Sequence, residues 1–306
     1  MKLLPINQTM QSELVTIRDW LRFTVSQFEA SDIFFGHGTD NAYDEAVWLI
    51  LSALHLPHDT LNNFLDSRLT TVERSHLAGL VEKRIVNHTP TAYLVNEAWL
   101  HGFKFYVDER VIVPRSFIAE LLNDHLHPWV EFPEMVGSAA DICTGSGCLG
   151  ILLANSFPNA AIDVIDISAD AIDVANINIQ NYGLEEQVTA IQSDMFSALV
   201  GKLYDVIISN PPYVDGPSMA TLPREYQNEP QLALGSGADG LDHTHTLLRN
   251  AAEHLNDEGI LIVEIGHNRE ALIAAYPDLE FIWLEVSSGN QFVFLLTKSQ
   301  LVTYFS

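Results

Sequence analysis

The sequence of 306 residues is poor in basic residues, since 15 Lys and Arg stand against 40 Asp and Glu, and its net charge is −25. Residues 134–306 contain 5 basic and 23 acidic residues, so most of the negative charge lies in the second half. A surface this negative repels phosphate backbones, which argues against direct nucleic-acid binding and favours cationic partners. Acidity that serves only solubility is the alternative.

Cysteine and long apolar runs are scarce as well. The two cysteines, Cys143 and Cys148, share one glycine-rich stretch, which excludes a disulfide framework and favours a cytoplasmic protein with packing cysteines. The 12 histidines show no metal-ligand spacing, so we expect no metal. No apolar run reaches the roughly 18 residues that span a bilayer, and no signal-peptide pattern opens the chain. We therefore expect no membrane partner.

The first 90 residues have a helical periodicity. Apolar residues recur at three- and four-residue steps at Leu14, Ile17, Leu21, Val25 and Phe28. Further helices are predicted over 44–54 and 72–86. These patterns predict a helical domain over residues 1–90, for which we expect a role in substrate recognition.

A change of character follows in "TAYLVNEAWLHGFKFYVDERVIVP", which is rich in aromatic and β-branched residues. It predicts a β-hairpin that turns at His101–Gly102 and ends at Pro114. A helix is predicted from Ser116 to about His125. The hairpin and this linker helix together occupy residues 91–133.

From residue 134 onward, apolar strands alternate with helices. The predicted strands are 139–143, 161–166, 188–192, 204–209, 259–265, 279–286 and 291–297. The predicted helices are 147–156, 168–182, 242–255 and 268–275. This alternation predicts a parallel sheet with helices on both faces. The short "SSGN" connection predicts that the last two strands pair as an antiparallel hairpin.

The stretch "DICTGSGCLG" follows the first of these strands and predicts a ligand-binding turn. Gly145 and Gly147 suit a tight strand-to-helix turn where a ligand approaches bare backbone. With Gly150 they spell G-x-G-x-x-G, so a dinucleotide is one interpretation. Asp141, just before them, would repel a pyrophosphate and suits a cationic ligand better.

Two further acids end the next two strands. Asp166 lies about 20 residues after the glycines, where an acid accepts hydrogen bonds from both ribose hydroxyls. Asp194 ends the third strand, and Met195 and Phe196 after it are placed to bracket an adenine. Handles for ribose and adenine without a phosphate cradle describe S-adenosylmethionine.

The stretch "SNPPYVD" follows the fourth strand, which its two prolines must end. An amide nitrogen is a poor nucleophile because its lone pair is delocalised. The Asn210 side-chain oxygen and the Pro211 carbonyl are two acceptors that can fix such an amide, and Tyr213 can pack against it. Asp215 invites a role as a base, but a solvated loop acid is the favoured interpretation.

These motifs, in this order, resemble those of class I methyltransferases. The resemblance implies a Rossmann-like α/β domain with a seven-stranded, mostly parallel sheet, and S-adenosylmethionine as cofactor with S-adenosylhomocysteine as product. The implied cofactor residues are Asp141, Cys143, Thr144, Gly145, Ser146, Gly147, Asp166, Ile167, Asp194, Met195, Phe196 and Asn210. The implied catalytic residues are Asn210, Pro211, Pro212 and Tyr213.

NPPY resembles the motif of enzymes acting on two substrate classes, the exocyclic amines of DNA bases and the glutamine amides of proteins. The scarcity of basic residues disfavours DNA. The helical domain followed by "VIVPRSFIAEL" resembles the protein-(glutamine) methyltransferases. "FFGHGTDNAYDEAVWLIL" and "FYVDERVIVPRS" resemble the branch that modifies the third protein of the large ribosomal subunit, which implies a basic ribosomal partner.

Alternatives stay open at this point. They are the branch acting on peptide-chain release factors, a DNA amino-methyltransferase, and a non-catalytic ribosome-assembly factor that binds the cofactor. Arg115 is a substrate candidate or a surface arginine at a helix start. "GHGTDN" is a substrate-reading loop or a cap of the helix near Asp44. The loop over 214–241 is expected to be a partly ordered lid over the glutamine.

Overall fold

The computed structural model describes residues 8–306, so the first seven residues of the predicted helical domain lie outside the described residues. By its contacts the chain divides into two compact units. The helical unit contains the residues up to Trp99 together with Val107–Glu109 and Pro223–Glu229. The sheet unit contains Leu100–Tyr106, Arg110–Leu222 and Pro230–Ser306. The three domains expected from the sequence stay a prediction.

The predicted N-terminal helices are confirmed. The helices of this unit are α1 (Gln8–Glu13), α2 (Ile17–Ala30), α3 (Ala42–Ala53), α4 (Leu61–Phe64), α5 (Thr71–Asn87) and α6 (Thr91–Val95). A capping box starts α2, because the Thr16 side chain accepts from the Asp19 backbone and the Asp19 carboxylate accepts from the Thr16 backbone. The apolar faces of α2, α3 and α5 pack around Trp20, which is fully buried.

A buried ion network lies within the helical unit. Arg84 on α5 donates to the Glu45 carboxylate and, at 2.9 Å, to Oε1 of Glu225. The same Glu225 oxygen accepts from the Phe34 backbone N at 2.8 Å and lies 3.0 Å from Nδ1 of His88. Burial alone would raise the pKa of Glu225, but these hydrogen bonds hold it below its usual value. Glu225 belongs to the segment that the long loop over 214–241 contributes to this unit.

The β-hairpin expected over 91–114 is much shorter in the structure. Residues Thr91–Val95 form α6 instead, and Asn96 ends it in the left-handed conformation. The hairpin itself consists of β1 (Ala98–Leu100) and β2 (Phe103–Phe105), with the turn at His101–Gly102 as expected. A five-residue apolar run such as "TAYLV" fits a helix and a strand equally well, so periodicity alone did not distinguish them.

The predicted seven-stranded, mostly parallel sheet is confirmed within residues 8–306. Its strands are β3 (Ser138–Ile142), β4 (Ala161–Asp166), β5 (Val188–Gln192), β6 (Tyr204–Ser209), β7 (Leu255–Glu264), β8 (Ile282–Trp283) and β9 (Val293–Thr297). Their spatial order is β5-β4-β3-β6-β7-β9-β8. The first five are parallel neighbours, and β9 runs antiparallel to β7 and β8. The order reverses direction between β3 and β6, where α/β proteins open a ligand crevice.

The remaining helices are α7 (Ile118–Asn123), α8 (Cys148–Ser156), α9 (Ala169–Tyr182), α10 (Gly216–Met219), α11 (Asp242–Asn250), α12 (Arg269–Ala275) and α13 (Lys298–Phe305). The sequence interpretation missed α13. A capping box between Thr297 and Gln300 marks its start and is the signal that could have found it. The predicted strand 279–286 shrinks to the two residues of β8, although its antiparallel pairing is confirmed. Throughout residues 8–306, no helix is long and apolar enough to cross a membrane.

Candidate cofactor and amide site

The glycine loop between β3 and α8 has the backbone that the sequence predicts. Cys143, Gly145 and Gly147 have positive φ angles of 64°, 55° and 79°. Gly147 packs so closely on α9 that a Cβ there would lie 3.1 Å from the Cβ of Ala175. A Cβ on Gly145 would meet nothing within 4 Å. The space over Gly145 is therefore open to a ligand that contacts the backbone.

Asp141 lies beneath this loop and not in the wall of the cavity above it. The residue is fully buried, and its Oδ2 accepts from Thr144 Oγ1 and, at 3.0 Å, from the Gly150 backbone N. Burial raises the pKa of Asp141 to about 7. Asp141 thus holds the loop against the start of α8, and its expected charge contact with a ligand stays a prediction.

A cavity opens at the carboxyl ends of β3, β4 and β6, with about 1050 Å³ of space when the solvent at its mouth is included. Its walls include Arg115, Cys143, Thr144, Gly145, Ser146, Asp166, Ile167, Asp194, Met195, Asn210 and Pro212. Gly147, Pro211, Tyr213 and Phe196 are not part of these walls. The topological switch between β3 and β6 therefore brings most of the predicted site residues together.

Asp166 is an oriented carboxylate at the end of β4. Its Oδ2 accepts from the Gly145 backbone N at 2.9 Å, and its Oδ1 accepts from the Ser168 backbone N at 3.0 Å. Burial raises its pKa despite these bonds. Each carboxylate oxygen has a second lone pair, so Asp166 can still accept hydrogen bonds from a diol. Asp194 is exposed at the end of β5, which makes this side of the cavity acidic.

Met195 and Phe196 do not form the expected bracket. Met195 lines the cavity, but the Phe196 ring stacks on His254 with 4.7 Å between ring centroids and an angle of 8° between the planes. Phe196 is part of the apolar core of the sheet unit. Both side chains are buried in the turn after β5, and which of them also borders the cavity cannot be read from the local sequence.

The sequence interpretation missed several residues of the cavity wall. The loop over 214–241 contributes Pro230, Leu232 and Ala233, and the chain before α7 contributes Arg110, Val111, Ile112 and Ser116. Leu232 is 59% exposed although it is a large apolar side chain. Leu232 stands in a stretch of turn-forming and acidic residues, and this apolar residue was the sequence signal that could have revealed this part of the wall. The expected lid over the glutamine stays a prediction.

The two cysteines are free thiols beside the glycine loop. Burial raises the pKa of both, which leaves them protonated and poorly nucleophilic. The described residues 8–306 contain no group of three or more His, Cys, Asp or Glu side chains arranged for a metal.

Asn210, which follows β6 directly, has its amide oriented by a contact with the backbone. Its Nδ2 donates to the Arg115 carbonyl at 3.0 Å. Its Oδ1 is buried and has no hydrogen-bond partner among residues 8–306. A buried acceptor without a partner costs free energy, and such atoms in native proteins call for a reason. The orientation leaves Oδ1 available to accept a hydrogen bond from a bound group.

Tyr213, the last residue of NPPY, is fixed by contacts with the segment after β7. The Tyr213 carbonyl accepts from Asn268 Nδ2 at 2.7 Å, and the Tyr213 ring packs directly over Gly266. Asp215 caps α10, because its Oδ1 accepts from the Ser218 backbone N. Hydrogen bonds from Ser218 lower the pKa of Asp215, in agreement with a structural acid.

The last candidates lie away from NPPY in sequence. Arg115 lines the cavity and donates from Nη1 to the Val113 carbonyl at 3.2 Å. In "GHGTDN", Asn41 caps α3 by accepting from the Asp44 backbone N. The capping interpretation of this segment is thus seen directly, while substrate contact stays a prediction.

A family model matches part of the sheet unit, and curated relatives align with nearly the full length of the chain. A family model described as "Methyltransferase small domain" matches residues 119–224. A ribosomal protein uL3 glutamine methyltransferase of Neisseria gonorrhoeae is 58% identical and aligns over 97% of this chain and 98% of that protein. One of Burkholderia pseudomallei is 51% identical over 96% and 98%. The crystal structure of a Pyrococcus furiosus methyltransferase is 18% identical, covers 65% of this chain and 90% of that chain, and has a TM-score of 0.45.

The fold, the acidic cavity and NPPY define a methyltransferase with a class I, Rossmann-like domain. Both relatives align with nearly the full length of this chain and carry the same name. The chain belongs to the family of ribosomal protein uL3 glutamine methyltransferases.

Proposed function

We propose that this protein methylates the side-chain amide nitrogen of a glutamine in ribosomal protein uL3, with S-adenosylmethionine as the methyl donor. The observation that carries the proposal is the Asn210 amide, whose Oδ1 is kept as a partnerless acceptor while Nδ2 is tied to backbone. That atom belongs to a residue lining the same cavity as Asp166 and Gly145. The names of the relatives support the choice of substrate.

The residues of the cavity fit the cofactor. The open space over Gly145 admits a ligand to the backbone, and Asp166 offers two oriented oxygens for ribose hydroxyls. Asp194 adds acidic character that suits a sulfonium cation. When bound, S-adenosylmethionine supplies an electrophilic methyl group and leaves as S-adenosylhomocysteine. No metal takes part in this proposal.

The amide is positioned by acceptors. We expect Asn210 Oδ1 to accept one N–H of the glutamine amide, and the backbone carbonyl of Pro211, which lies between the wall residues Asn210 and Pro212, to accept the other. Alignment of the nitrogen lone pair supplies part of the rate. Both acceptors bind more tightly as the nitrogen gains positive charge, which lowers the barrier selectively. The surplus proton then passes to solvent.

The full-length protein and radiolabelled S-adenosylmethionine test the substrate. Separate reactions should contain uL3, a peptide-chain release factor or double-stranded DNA. We expect label in uL3 alone, and peptide mapping should place it on one glutamine. Label in the release factor or in DNA would replace the proposal by the corresponding alternative. Cofactor binding without transfer to any of the three would favour an assembly factor.

The negative charge supports a cationic partner, and we expect the two proteins to meet in the cytoplasm. A net charge of −25 steers a basic protein over about 8 Å at physiological salt. The specificity constant for intact uL3 should therefore fall as salt is raised from low to moderate concentration. A short neutral peptide with the same glutamine should respond little. Equal responses would show that the acidity serves only solubility.

A further inference from the structure

One buried carboxylate in the sheet unit has no part in the mechanism described so far. Glu264 is the last residue of β7 and is 3% exposed. Its Oε2 accepts from Ser116 Oγ at 2.7 Å and from the Phe117 backbone N at 2.9 Å. Burying a carboxylate is costly, and the two hydrogen bonds at the start of α7 offset part of that cost.

The two bonds fix the backbone directly beside the substrate-binding amide. Ser116 follows Arg115, and the Arg115 carbonyl is the acceptor that holds Asn210 Nδ2 at 3.0 Å. Because a side-chain amide is planar, holding its nitrogen also sets the direction of its oxygen. The direction of Asn210 Oδ1 therefore depends on where Glu264 holds the segment of Arg115 and Ser116.

The same strand end also supports Tyr213. Gly266 has a φ of 55°, and a Cβ there would lie 2.6 Å from the Tyr213 ring. Asn268 holds the Tyr213 carbonyl. Residues 264, 266 and 268 thus place the two ends of NPPY from one segment, which explains why a single strand end carries an acid, a glycine and an amide.

We infer that Glu264 is a positioning residue for methyl transfer, which acts by holding the Arg115 carbonyl where it orients the Asn210 amide. The inference depends on the proposed function. Arg115 is the charged group that faces Glu264 from the segment before α7, and Val293, its partner on β9, is apolar. Burial raises the pKa of Glu264 to about 7, so its charge, and with it its strength as an acceptor, changes around that pH.

Glu264→Ala and Glu264→Gln test the inference in the full-length protein. Glu264→Ala should lower kcat by about 10- to 100-fold, with the Kd for S-adenosylmethionine changed less than threefold. Glu264→Gln keeps an oxygen acceptor but cannot titrate. Protonation weakens the acceptor only in the wild type. The ratio of the kcat of Glu264→Gln to the kcat of the wild type should therefore rise as the pH falls through 7. Glu258→Gln, an exposed carboxylate on the same strand, is the matched control and should leave kcat unchanged.

The inference would be overturned by a wild-type kcat in Glu264→Ala. It would also be overturned if the ratio of the kcat of Glu264→Gln to that of the wild type did not change with pH. If Glu264→Ala does not fold, the pH dependence of Glu264→Gln decides alone.

A second measurement does not depend on activity, so failure of the proposed function stays distinguishable. In 15N-labelled protein, the Asn210 side-chain amide protons are identified by their loss in Asn210→Ala. They should exchange with water at least tenfold faster in Glu264→Ala than in wild type or in Glu258→Gln. Equal exchange rates would show that Glu264 does not hold the amide, whatever substrate the protein methylates.

Discussion

The Arg84 network of the helical unit and the carboxyl edge of the sheet both bury polar groups, but the network gives each of its charges a hydrogen-bond partner and the sheet edge does not. In this network the buried side chains of Arg84, Glu45 and Glu225 each have hydrogen-bond partners. At the edge of the sheet, Oδ1 of Asn210, a residue of the cavity wall, is buried without one. Satisfied networks stabilise and specify a fold, whereas an acceptor kept without a partner is available to a ligand. We therefore expect the Arg84 network to act on stability and Asn210 to act on a ligand.

The largest effect should follow from breaking the satisfied network. Arg84→Met leaves Glu45 and Glu225 buried without their cation, which should lower the free energy of unfolding by about 3–5 kcal/mol. Urea denaturation followed by circular dichroism measures it. Lys83→Met removes the same charge from an exposed neighbour on α5 and should change the value by less than about 0.5 kcal/mol. Similar losses in both variants would contradict the structural role of the network.

Removing the partnerless acceptor should affect catalysis and not stability. Asn210→Ala should lower kcat by about 10²–10³-fold or more, the range for loss of one preorganised group in a transition state. The Kd for S-adenosylmethionine should stay within several-fold, and the free energy of unfolding within about 1 kcal/mol. Asn210→Asp should also be poor, because a charged oxygen replaces the anchored NH₂. Near-normal turnover of Asn210→Ala would refute its assigned role.

A smaller effect is expected at Asp166, whose oxygens are already partly satisfied by backbone. Asp166→Ala should weaken binding of S-adenosylmethionine by about 1–3 kcal/mol in calorimetry, the scale of lost charged hydrogen bonds. Asp170→Ala removes an exposed acid from the first turn of α9 and serves as the control. Unchanged affinity in Asp166→Ala would show that the ribose binds elsewhere.

The subtlest expectation concerns the sign of the pH dependence. The pKa of Glu225 is lowered by folding, so its stabilisation is present above its ordinary pKa and is lost as the pH falls through the folded value. The pKa of Glu264 is raised to about 7, so its contribution is greatest below its ordinary pKa and is lost as the pH rises to 7. The stability of wild type relative to Glu225→Gln should therefore increase with pH, and relative to Glu264→Gln decrease. Slopes of equal sign would contradict the comparison.

The sheet and most of the cavity wall were predictable because their signals are local. Apolar runs followed by Asp166, Asp194 and Asn210 mark strand ends, and parallel strands bring those ends to one edge. Short apolar runs were less informative. At α6 a strand was predicted where a helix forms, since five residues do not distinguish the two.

Contacts between distant residues could not be predicted. Arg84 and Glu225 are 141 positions apart, and nothing near either residue marks the other as its partner. Glu264 likewise reads as the polar end of an apolar strand until Ser116, 148 positions earlier, is seen against it. Such pairs depend on the path of the whole chain.

The separation of Arg84 and Glu225 along the chain also determines the time that passes between the synthesis of the two residues. Ribosomes add about 5–20 residues per second, so Glu225 is made roughly 7–28 s after Arg84. During that interval the newly made helices lack the carboxylate that completes their interior. The N-terminal unit of this protein therefore reaches its final state only after β3 to β6 and NPPY have already left the peptidyl-transferase centre.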